Sequence, residues 1–278
     1  MTAWLTVKQG NAPLIVSLPH TGTKIPASIE SQLTTEWLAR KDTDWWIDRL
    51  YDFASDLDAT VVHTAISRTV IDVNRDPSGA SLYPGQATTE LCPTTTFDSE
   101  PLYRGKRPDA AEIEARRQLY FAPYHDALRE QITRLRTLHG RIVLYDCHSI
   151  RSVIPRLFEG TLPEMNIGTN SSTSCDPVLT EMVVSLIDES RFSRVVNGRF
   201  KGGWITRQYG QPQNSVHAIQ MELACRSYMR ETPGPVTEDG WPVPYEPAYA
   251  QPMRELLLQI LRGCLKFAQS QKETRYSS

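Results

Sequence analysis

In the stretch Ile142-Val143-Leu144-Tyr145-Asp146-Cys147-His148-Ser149, four largely apolar residues run directly into four polar or reactive ones. The stretch Leu14-Ile15-Val16-Ser17-Leu18-Pro19-His20 has the same arrangement near the start of the chain. Buried strands of a parallel sheet read as continuous apolar runs, and ligands of open α/β sheets bind beyond the carboxyl ends of such strands. The two stretches therefore predict two buried strands, with His20 and His148 close together at one edge of an α/β sheet.

The rest of the chain alternates predicted strands with predicted amphipathic helices, which favours a sheet covered by helices on both faces. No Pro/Gly/Ser-rich linker separates two apolar halves, so we interpret residues 1–278 as a single domain. We predict a three-layer α/β/α fold with a mixed, mostly parallel central sheet. The long segment 74–108 is interpreted as a loop that forms a wall of the functional site, and the tail from Ser270 is expected to fray. The predicted strands are residues 14–18, 59–62, 69–73, 142–145, 165–167, 195–196 and 216–223, and the predicted helices are residues 44–57, 110–138 with an interruption at Pro123, 178–187 with a cap near Asp176, and 249–268.

Composition excludes several classes of function. The chain has 40% hydrophobic and 22% charged residues, as do soluble globular domains with a sizeable core. A net charge of −2 leaves no basic surface for nucleic acid or for an anionic membrane. The first residues lack a basic segment followed by an apolar one, and no apolar stretch is long enough to span a bilayer, so a cytoplasmic protein is expected. Five scattered cysteines without a Cys-x-x-Cys pair argue against a disulfide framework and a structural thiolate zinc site.

His20 and His148 are candidate metal ligands. His20 lies in Pro-His-Thr-Gly, where Gly22 permits a sharp turn and a close backbone approach. Asp146 is placed to orient His148 as a hydrogen-bond acceptor. Each histidine alone could be a hydrogen-bonded structural residue, but the pair favours a metal site.

A hydrolytic zinc usually has three protein ligands from His, Asp and Glu, so a carboxylate ligand is still required. It could come from Asp42, Asp44 or Asp48, which lie just before or inside the first long predicted helix. Asp42 could instead be an N-cap, and Asp48 a solvated partner of an arginine. Asp44 is therefore our choice. Histidine and carboxylate ligands suit zinc, and also cobalt, manganese or iron.

Glu222 lies near the end of the predicted strand 216–223. A carboxylate is almost never buried without a partner, so Glu222 is either paired, for example with Arg226, or aimed into a site. Beside a metal ion it would act as the general base, taking a proton from water and returning it to the leaving nitrogen.

Arg68, Asn74 and Arg75 flank the predicted strand 69–73. Arginine is always charged and binds carboxylates in bidentate fashion, so it suits an acidic substrate and the stabilisation of an oxyanion. A surface ion pair would explain either arginine alone. Three such side chains at the two ends of one strand indicate a substrate site.

Several motifs, in chain order, make the sequence resemble the N-formylglutamate amidohydrolase (deformylase) family. That family resembles in turn the zinc carboxypeptidase and aspartoacylase group, which implies a zinc-carboxypeptidase-like (phosphorylase/hydrolase-like) fold. The motifs are Pro-His-Thr-Gly at 19–22, Asp-Thr-Asp-Trp at 42–45, Ser-Arg at 67–68, Asp-Val-Asn-Arg at 72–75, Asp-Cys-His-Ser at 146–149, Gly-Thr-Asn at 168–170, Ser-Cys-Asp-Pro at 174–177 and Gln-Met-Glu-Leu at 220–223.

The resemblance implies a role for each matching residue. It makes His20 and His148 zinc ligands and Glu222 the base; it also makes Arg68 the group that polarises the carbonyl, and Asn74 and Arg75 the clamp for a substrate carboxylate. The chain departs from the pattern at one position. The zinc carboxypeptidase relatives have His-x-x-Glu, whereas Thr23 stands three residues after His20. The choice of Asp44 therefore comes from this sequence and not from the resemblance.

The reaction implied by the resemblance is hydrolysis of N-formyl-L-glutamate to formate and L-glutamate, the last step of one route of histidine degradation. A dicarboxylate substrate needs more than one cation to bind it, and we name Arg207 and Arg151 as candidates for the second. Arg207 lies in the segment 202–210, which glycines bracket like a mobile flap, although an ordered surface loop is the alternative. The sequence leaves the oligomeric state open.

Three other functions are considered. A thiol hydrolase could use Cys147 with a histidine as base, but adjacent strand residues point to opposite faces of a sheet, so His148 is badly placed to serve it. A related zinc amidohydrolase could act on another N-acyl amino acid. A non-catalytic protein could bind a dicarboxylate, in which case the candidate metal ligands would be incidental.

Overall fold

The computed structural model describes residues 4–232 and 234–270. Its centre is a seven-stranded sheet with the strand order β1-β3-β2-β4-β7-β5-β6. Four of the six strand pairs are parallel, and only β1–β3 and β5–β7 are antiparallel. The predicted mixed, mostly parallel sheet is confirmed. The strands are β1 (Leu5–Lys8), β2 (Leu14–Leu18), β3 (Thr60–Thr64), β4 (Ile142–Ile150), β5 (Met165–Gly168), β6 (Arg194–Val196) and β7 (Val216–Ala224).

Helices cover both faces of the sheet, as the predicted α/β/α layers require. One core cluster joins α6 and α8 to alternate residues of the central strands, among them Tyr145 and Cys147. The cluster on the other face joins α5 and α7 to the intervening residues, among them Leu144 and Ala218. The helices are α1 (Ala27–Glu30), α2 (Glu36–Arg40), α3 (Ile47–Leu50), α4 (Ala110–Arg116), α5 (Ala122–Leu138), α6 (Pro177–Asp188), α7 (Trp204–Tyr209) and α8 (Pro247–Gln269).

Strand β4 is longer than the four residues predicted for it, and all nine of its residues are buried. Asp146 and His148 therefore belong to the strand itself and share a face, because side chains alternate along a strand. This is the face of Leu144, and Cys147 lies on the opposite face. The polar end of β4 extends one face of the sheet beyond the helices that cover it.

The prediction of a strand over residues 69–73 is wrong, since this segment is a series of turns. Its side chains satisfy the backbone locally: the Thr69 amide donates to Ser67 Oγ and the Asn74 amide donates to Asp72 Oδ1. The amides of Val70 and Arg75 donate to the carbonyls of Ser67 and Asp72. Short polar side chains that bind nearby amides compete with a sheet ladder, and here they prevail.

Two helix predictions also change in detail. The predicted helix 44–57 is divided into α3 and a 3-10 helix, Asp52–Leu57. The interruption predicted at Pro123 takes the form of a π-helical turn, Arg117–Phe121, between α4 and α5. Proline lacks an N–H and its ring conflicts with the carbonyl four residues earlier, and a wider turn accommodates both effects. The predicted cap of α6 is confirmed, because Asp176 accepts a hydrogen bond from the Val178 amide.

Most of the remaining predicted strands and the C-terminal helix are confirmed within a few residues, whereas β1 was not predicted. None of the helices among the described residues is long and apolar enough to span a bilayer. The fraying predicted for the tail falls, after Ser270, outside the described residues, as do the first three residues of the chain.

Candidate active site

Three segments bring His20, Asp44 and His148 together. His20 follows β2, His148 lies near the end of the neighbouring strand β4, and Asp44 precedes α3 and donates its backbone N–H to the His20 carbonyl. Nδ1 of His148 lies 3.1 Å from both Nδ1 of His20 and Oδ2 of Asp44. The distance from His20 Nδ1 to Asp44 Oδ2 is 3.6 Å. All three side chains are at most 3% exposed.

A carboxylate holds the outer nitrogen of each imidazole. His20 Nε2 lies 2.7 Å from Asp72 Oδ1, and His148 Nε2 lies 2.9 Å from Asp146 Oδ2. Asp146 is itself fixed by Ser17, whose hydroxyl donates to Oδ1 at 2.8 Å. When each imidazole is neutral and donates Nε2–H to its carboxylate, its Nδ1 lone pair faces Asp44. Carboxylate–histidine pairs of this kind orient imidazoles that bind metal ions.

The spacing of the three inner atoms fits a divalent ion. A tetrahedral ion with ligand bonds of about 2.0–2.2 Å holds its ligand atoms about 3.3–3.6 Å apart. The observed separations are 3.1–3.6 Å, and the three residues satisfy the geometric requirements of a metal-binding group. Two imidazole lone pairs and a carboxylate oxygen that converge at this spacing repel one another unless a positive charge lies between them.

The pKa directions also favour positive charge at this point. Burial disfavours ionisation of Asp44 and Asp72, but the imidazoles outweigh it, aided at Asp72 by arginine, and hold both pKa values below the usual range for aspartate. Burial likewise disfavours a charged His148, yet Asp146 and Asp44 hold the pKa of His148 well above its usual value. The carboxylates therefore remain charged and favour a cation beside them.

Among the three aspartates considered as the third ligand, the structure brings only Asp44 to the histidines. Its other carboxylate oxygen accepts a hydrogen bond from Arg68 at 3.3 Å, and Oδ2 accepts one from the Ser149 amide. Asp42 instead accepts from the Phe97 amide, and Asp48 is exposed.

Glu222 lies beside this group on the next strand. Parallel pairing of β4 with β7 places Glu222 opposite His148 in register, on the face that carries the imidazoles. Its side chain is 7% exposed and lines the cleft, and burial raises its pKa to about 8. Gln220, two residues earlier on the same face, donates to Glu222 Oε2 at 3.3 Å. The alternative in which Arg226 pairs with Glu222 is wrong, since no ion pair joins them within the described residues.

Arg68 connects the aspartates on one side of the cleft. Its guanidinium donates to Asp72 at 2.8 Å and to Asp44 at 3.3 Å, and it lies 4.9 Å from the centre of the Phe97 ring. Burial opposes its charge, but these aspartates more than compensate and raise the pKa of Arg68 further. A fixed cation therefore borders the cleft beside Glu222 and the histidines.

Asn74 uses both ends of its amide within the protein. Oδ1 accepts a hydrogen bond from the Ile205 amide at 2.8 Å, and Nδ2 donates to Asp146 at 3.2 Å and lies 2.9 Å from His148 Nε2. The backbone of α7 approaches Asn74 closely because Gly203 has no side chain: a Cβ there would overlap the Asn74 amide. This geometry makes Asn74 a support for His148 as well as part of the cleft wall.

The cleft opens outward from these groups and encloses about 550 Å³, including space continuous with solvent. Arg75 lines it and donates to the carbonyl and hydroxyl oxygens of Thr89, in the long loop predicted to form a wall. Arg199 lines it from another side and was missed by the sequence analysis. It follows β6, a strand that runs antiparallel to β7, so the strand-end rule that located the histidines gives no signal for it.

Arg151 and Arg207 do not line this cleft. Arg151 is held by Asp42 and Asp98, at 3.3 and 2.8 Å, and is not among the residues that line the cleft of the histidines. Arg207 donates to the Gly202 carbonyl and packs 5.1 Å from the centre of the Tyr83 ring. The segment expected to be a flap contains α7, in which Thr206 is fully buried. An ordered segment therefore describes residues 202–210 better than a flap does.

Cys147 does not contribute to this site. Its side chain is fully buried in the core cluster on the opposite face of the sheet, and burial raises the pKa of the thiol well above its usual value. A buried, protonated thiol is not a nucleophile. The thiol hydrolase considered from the sequence is therefore excluded for this cysteine.

Comparisons with known proteins show the family and the fold. A family model described as N-formylglutamate amidohydrolase matches residues 12–229. The chain is 44% identical to an N-formylglutamate deformylase of Pseudomonas putida, over 94% of this chain and 95% of the relative. It is 42% identical to an N-formylglutamate deformylase of Pseudomonas aeruginosa, over 94% of this chain and 96% of that one. The crystal structure of an N-formylglutamate amidohydrolase from Ralstonia eutropha JMP134 shares the fold, with a TM-score of 0.77 and 24% identity over 97% of this chain and 99% of that chain.

Proposed function

The chain belongs to the N-formylglutamate amidohydrolase family, and from this premise we propose that its cleft hydrolyses N-formyl-L-glutamate to formate and L-glutamate. The observation that carries the proposal is the convergence of His20, Asp44 and His148 beside Glu222 and Arg68 in one cleft. A binding protein would have no need for a buried carboxyl group next to three convergent ligand atoms. Metal-assisted hydrolysis of an amide uses both, the ligand atoms to hold the ion and the carboxyl group to transfer the proton.

We propose that His20 Nδ1, His148 Nδ1 and a carboxylate oxygen of Asp44 hold a divalent ion, zinc in the first instance and cobalt, manganese or iron as alternatives. Such an ion supplies a Lewis acid that polarises a carbonyl oxygen and makes water easier to deprotonate. Asp72 and Asp146 keep the two imidazoles in the tautomer that leaves Nδ1 unprotonated. Asn74, bonded to Asp146 and to the α7 backbone, fixes this orientation.

Glu222 is the general base. It takes a proton from the attacking water while the water oxygen bonds to the formyl carbon, and it then delivers that proton to the amide nitrogen as the C–N bond breaks. Formate and the free amino group of glutamate result. Burial raises the pKa of Glu222 above the usual value for glutamate, which makes its carboxylate a stronger base.

Arg68 and Arg75 bind charge on the substrate. Arg68 is fixed by two carboxylates at the inner end of the cleft, where it stabilises the negative charge that develops on the formyl oxygen. Arg75 keeps its Nη1 group without a hydrogen-bond partner among the described residues, and this group binds a substrate carboxylate.

The test is release of the free amino acid from a panel of N-formyl, N-acetyl and N-succinyl amino acids, with formate measured for the formyl compounds, with and without a chelator, before and after thiol alkylation. We expect N-formyl-L-glutamate to be the preferred substrate and the activity to be chelator-sensitive but resistant to alkylation. Preference for another acyl group would identify a related amidohydrolase. Absence of formate release after addition of each candidate metal would contradict the proposal.

Three broader statements belong to the same proposal. The reaction would complete a route of histidine degradation. Residues 1–278 would act as one catalytic domain, since a single sheet includes strands from Leu5 to Ala224. A cytoplasmic location is supported by the five cysteines, all of which are buried and free.

A further inference from the structure

The outer part of the cleft, which contains Arg75 and Arg199, holds a cation that the proposed reaction does not use. This cation is Arg199. Arg199 donates from Nε to the Leu157 carbonyl at 2.7 Å and from Nη2 to the Ala87 carbonyl at 2.6 Å. Both partners are neutral, and Arg199 forms no ion pair within residues 4–232 and 234–270. Its guanidinium also lies 5.2 Å from the centre of the Tyr83 ring. These contacts hold the side chain in place and leave its charge without a counter-ion.

A second guanidinium shares this part of the cleft. Arg75 is bonded to Thr89, and its nearest carboxylate oxygen, Asp72 Oδ2, lies 3.8 Å away and already accepts from Arg68. Burial and the charge of Arg75 lower the pKa of Arg199, against the opposing effects of Tyr83 and of the Glu222 carboxylate. Arg199 has no carboxylate partner among the described residues, and Arg75 shares Asp72 with Arg68 and His20, so the excess of positive charge suits an anionic ligand.

We propose that Arg199 binds the side-chain carboxylate of the substrate, while Arg75 binds its α-carboxylate. This inference rests on the proposed function and deepens it, because it makes two carboxylates a requirement for a good substrate. The positions of the two arginines indicate which substrate carboxylate each of them binds. Arg75 adjoins Asn74, which contacts His148, whereas Arg199 contacts neither the candidate ligands nor the carboxylates that orient them. In N-formylglutamate the α-carboxylate is next to the formamide, and the side-chain carboxylate lies beyond two methylene groups.

The experiment compares N-formyl-L-glutamate with N-formyl-L-glutamine, which replaces only the side-chain carboxylate by an amide. For the zinc-loaded wild-type protein we expect kcat/KM to favour the glutamate compound by on the order of 100-fold. In Arg199→Met, kcat/KM for N-formyl-L-glutamate should fall by about 100-fold while that for N-formyl-L-glutamine stays near its wild-type value, so the preference disappears. Arg199→Lys, which keeps the charge but not the planar fork, should retain part of the preference.

Arg207→Met is the matched control. Arg207 packs against the same Tyr83 ring, at 5.1 Å from its centre, but does not line the cleft. The substitution removes one positive charge and one cation–π contact near the site, and we expect the preference for the glutamate compound to persist. Arg75→Met should instead abolish discrimination between N-formyl-L-glutamate and its α-amide.

Binding of glutarate, an unreactive dicarboxylate, provides a measurement that does not require turnover. Calorimetry should show weaker binding in Arg199→Met than in wild type, and unchanged binding in Arg207→Met. An unchanged glutamate-to-glutamine preference in Arg199→Met would overturn the inference, even if both activities fell, because a purely structural role lowers both equally. Equal glutarate affinity in Arg199→Met and wild type would also overturn the inference. If wild type releases no formate but binds glutarate through Arg199, the proposed reaction fails and the dicarboxylate site stands.

Discussion

The inner and outer parts of the cleft treat charge in opposite ways. In the inner part, each aspartate is bound by an imidazole or a guanidinium: Asp72 contacts His20 and Arg68, and Asp146 contacts His148. In the outer part, Arg75 and Arg199 are held mainly by carbonyl and hydroxyl oxygens. The inner groups form a network that fixes geometry before any ligand arrives. Arg75 and Arg199 are fixed in position, but carboxylates do not fully neutralise their charge.

This difference separates two tasks of the site. Preorganised charges in a buried network hold a cation and stabilise a transition state without rearranging. Cations that carboxylates do not fully neutralise attract and select an anionic substrate. Changes to the inner part should therefore affect metal content and turnover, whereas changes to the outer part should affect substrate preference. The following predictions test that division.

The largest effect is expected from His148→Ala. Without its imidazole, two of the three ligand atoms remain, so the protein should lose both its metal ion and its activity. Because a catalytic metal contributes several kcal/mol, kcat should fall by about 10⁴-fold. Metal analysis and formate release on the same preparation check this. Stoichiometric metal with normal turnover in the variant would contradict the assignment of the ligands.

Glu222→Gln should separate metal binding from proton transfer. The amide has the same shape but cannot take a proton, and kcat should fall by about 10³-fold while the metal content stays at the wild-type level. Formate release and metal analysis again provide the measurement. Turnover near the wild-type rate would eliminate Glu222 as the base, and loss of metal would instead place it among the ligands.

Asp146→Asn should weaken the inner network without removing a ligand. The amide holds His148 Nε2 less strongly, so metal affinity should fall by about 10- to 100-fold, measured by competition with a chromophoric chelator. At saturating metal, the preference for N-formyl-L-glutamate over N-formyl-L-glutamine should not change. A change in that preference with unchanged metal affinity would show that the two parts of the cleft are not separable in this way.

The last prediction concerns the stability of the fold, not activity, and a histidine outside both parts of the cleft. His125 on α5 contacts the Val73 carbonyl through Nε2 and the Tyr209 hydroxyl through Nδ1, and burial lowers its pKa to about 4. The folded protein therefore favours the neutral ring. Its contribution to stability is complete above the unfolded pKa of about 6.5 and is lost as the pH falls toward 4, by on the order of 3 kcal/mol.

Urea unfolding at several pH values measures this contribution. Compared with wild type, His125→Gln should show a smaller loss of free energy of unfolding between pH 6.5 and 4, because the amide does not titrate. Parallel pH profiles for the two proteins would show that acid instability arises elsewhere, including the cleft itself.

The inner part of the cleft was predictable from sequence because parallel strands deliver their ends to one edge of a sheet. His20 and His148 followed from apolar runs, and pairing of β4 with β7 then places Glu222 opposite His148. Asp44 was a choice among three aspartates, which sequence spacing could not distinguish. In the structure, the backbone hydrogen bond from Asp44 to the His20 carbonyl places Asp44 beside the histidines.

The outer part was less predictable, because long arginine side chains reach in any direction from loops without periodicity. The sequence offered Arg151 and Arg207 as substrate-binding candidates and gave no signal for Arg199, and only their partners in space distinguish the three. The wrong strand at 69–73 has a related cause. Its residues have β-propensity, but Ser67 and Asp72 bind the local amides and bend the segment toward the cleft.

The central claim is that one ion at His20, Asp44 and His148 supports hydrolysis of N-formyl-L-glutamate. The most direct measurement is a titration of chelator-stripped protein with zinc, following formate release. We predict negligible release without metal, a linear rise, and a plateau at one equivalent per chain. Full activity in stripped protein that metal analysis shows to be metal-free would contradict the account. So would an Asp44→Asn variant that reaches the same plateau of activity at the same amount of zinc.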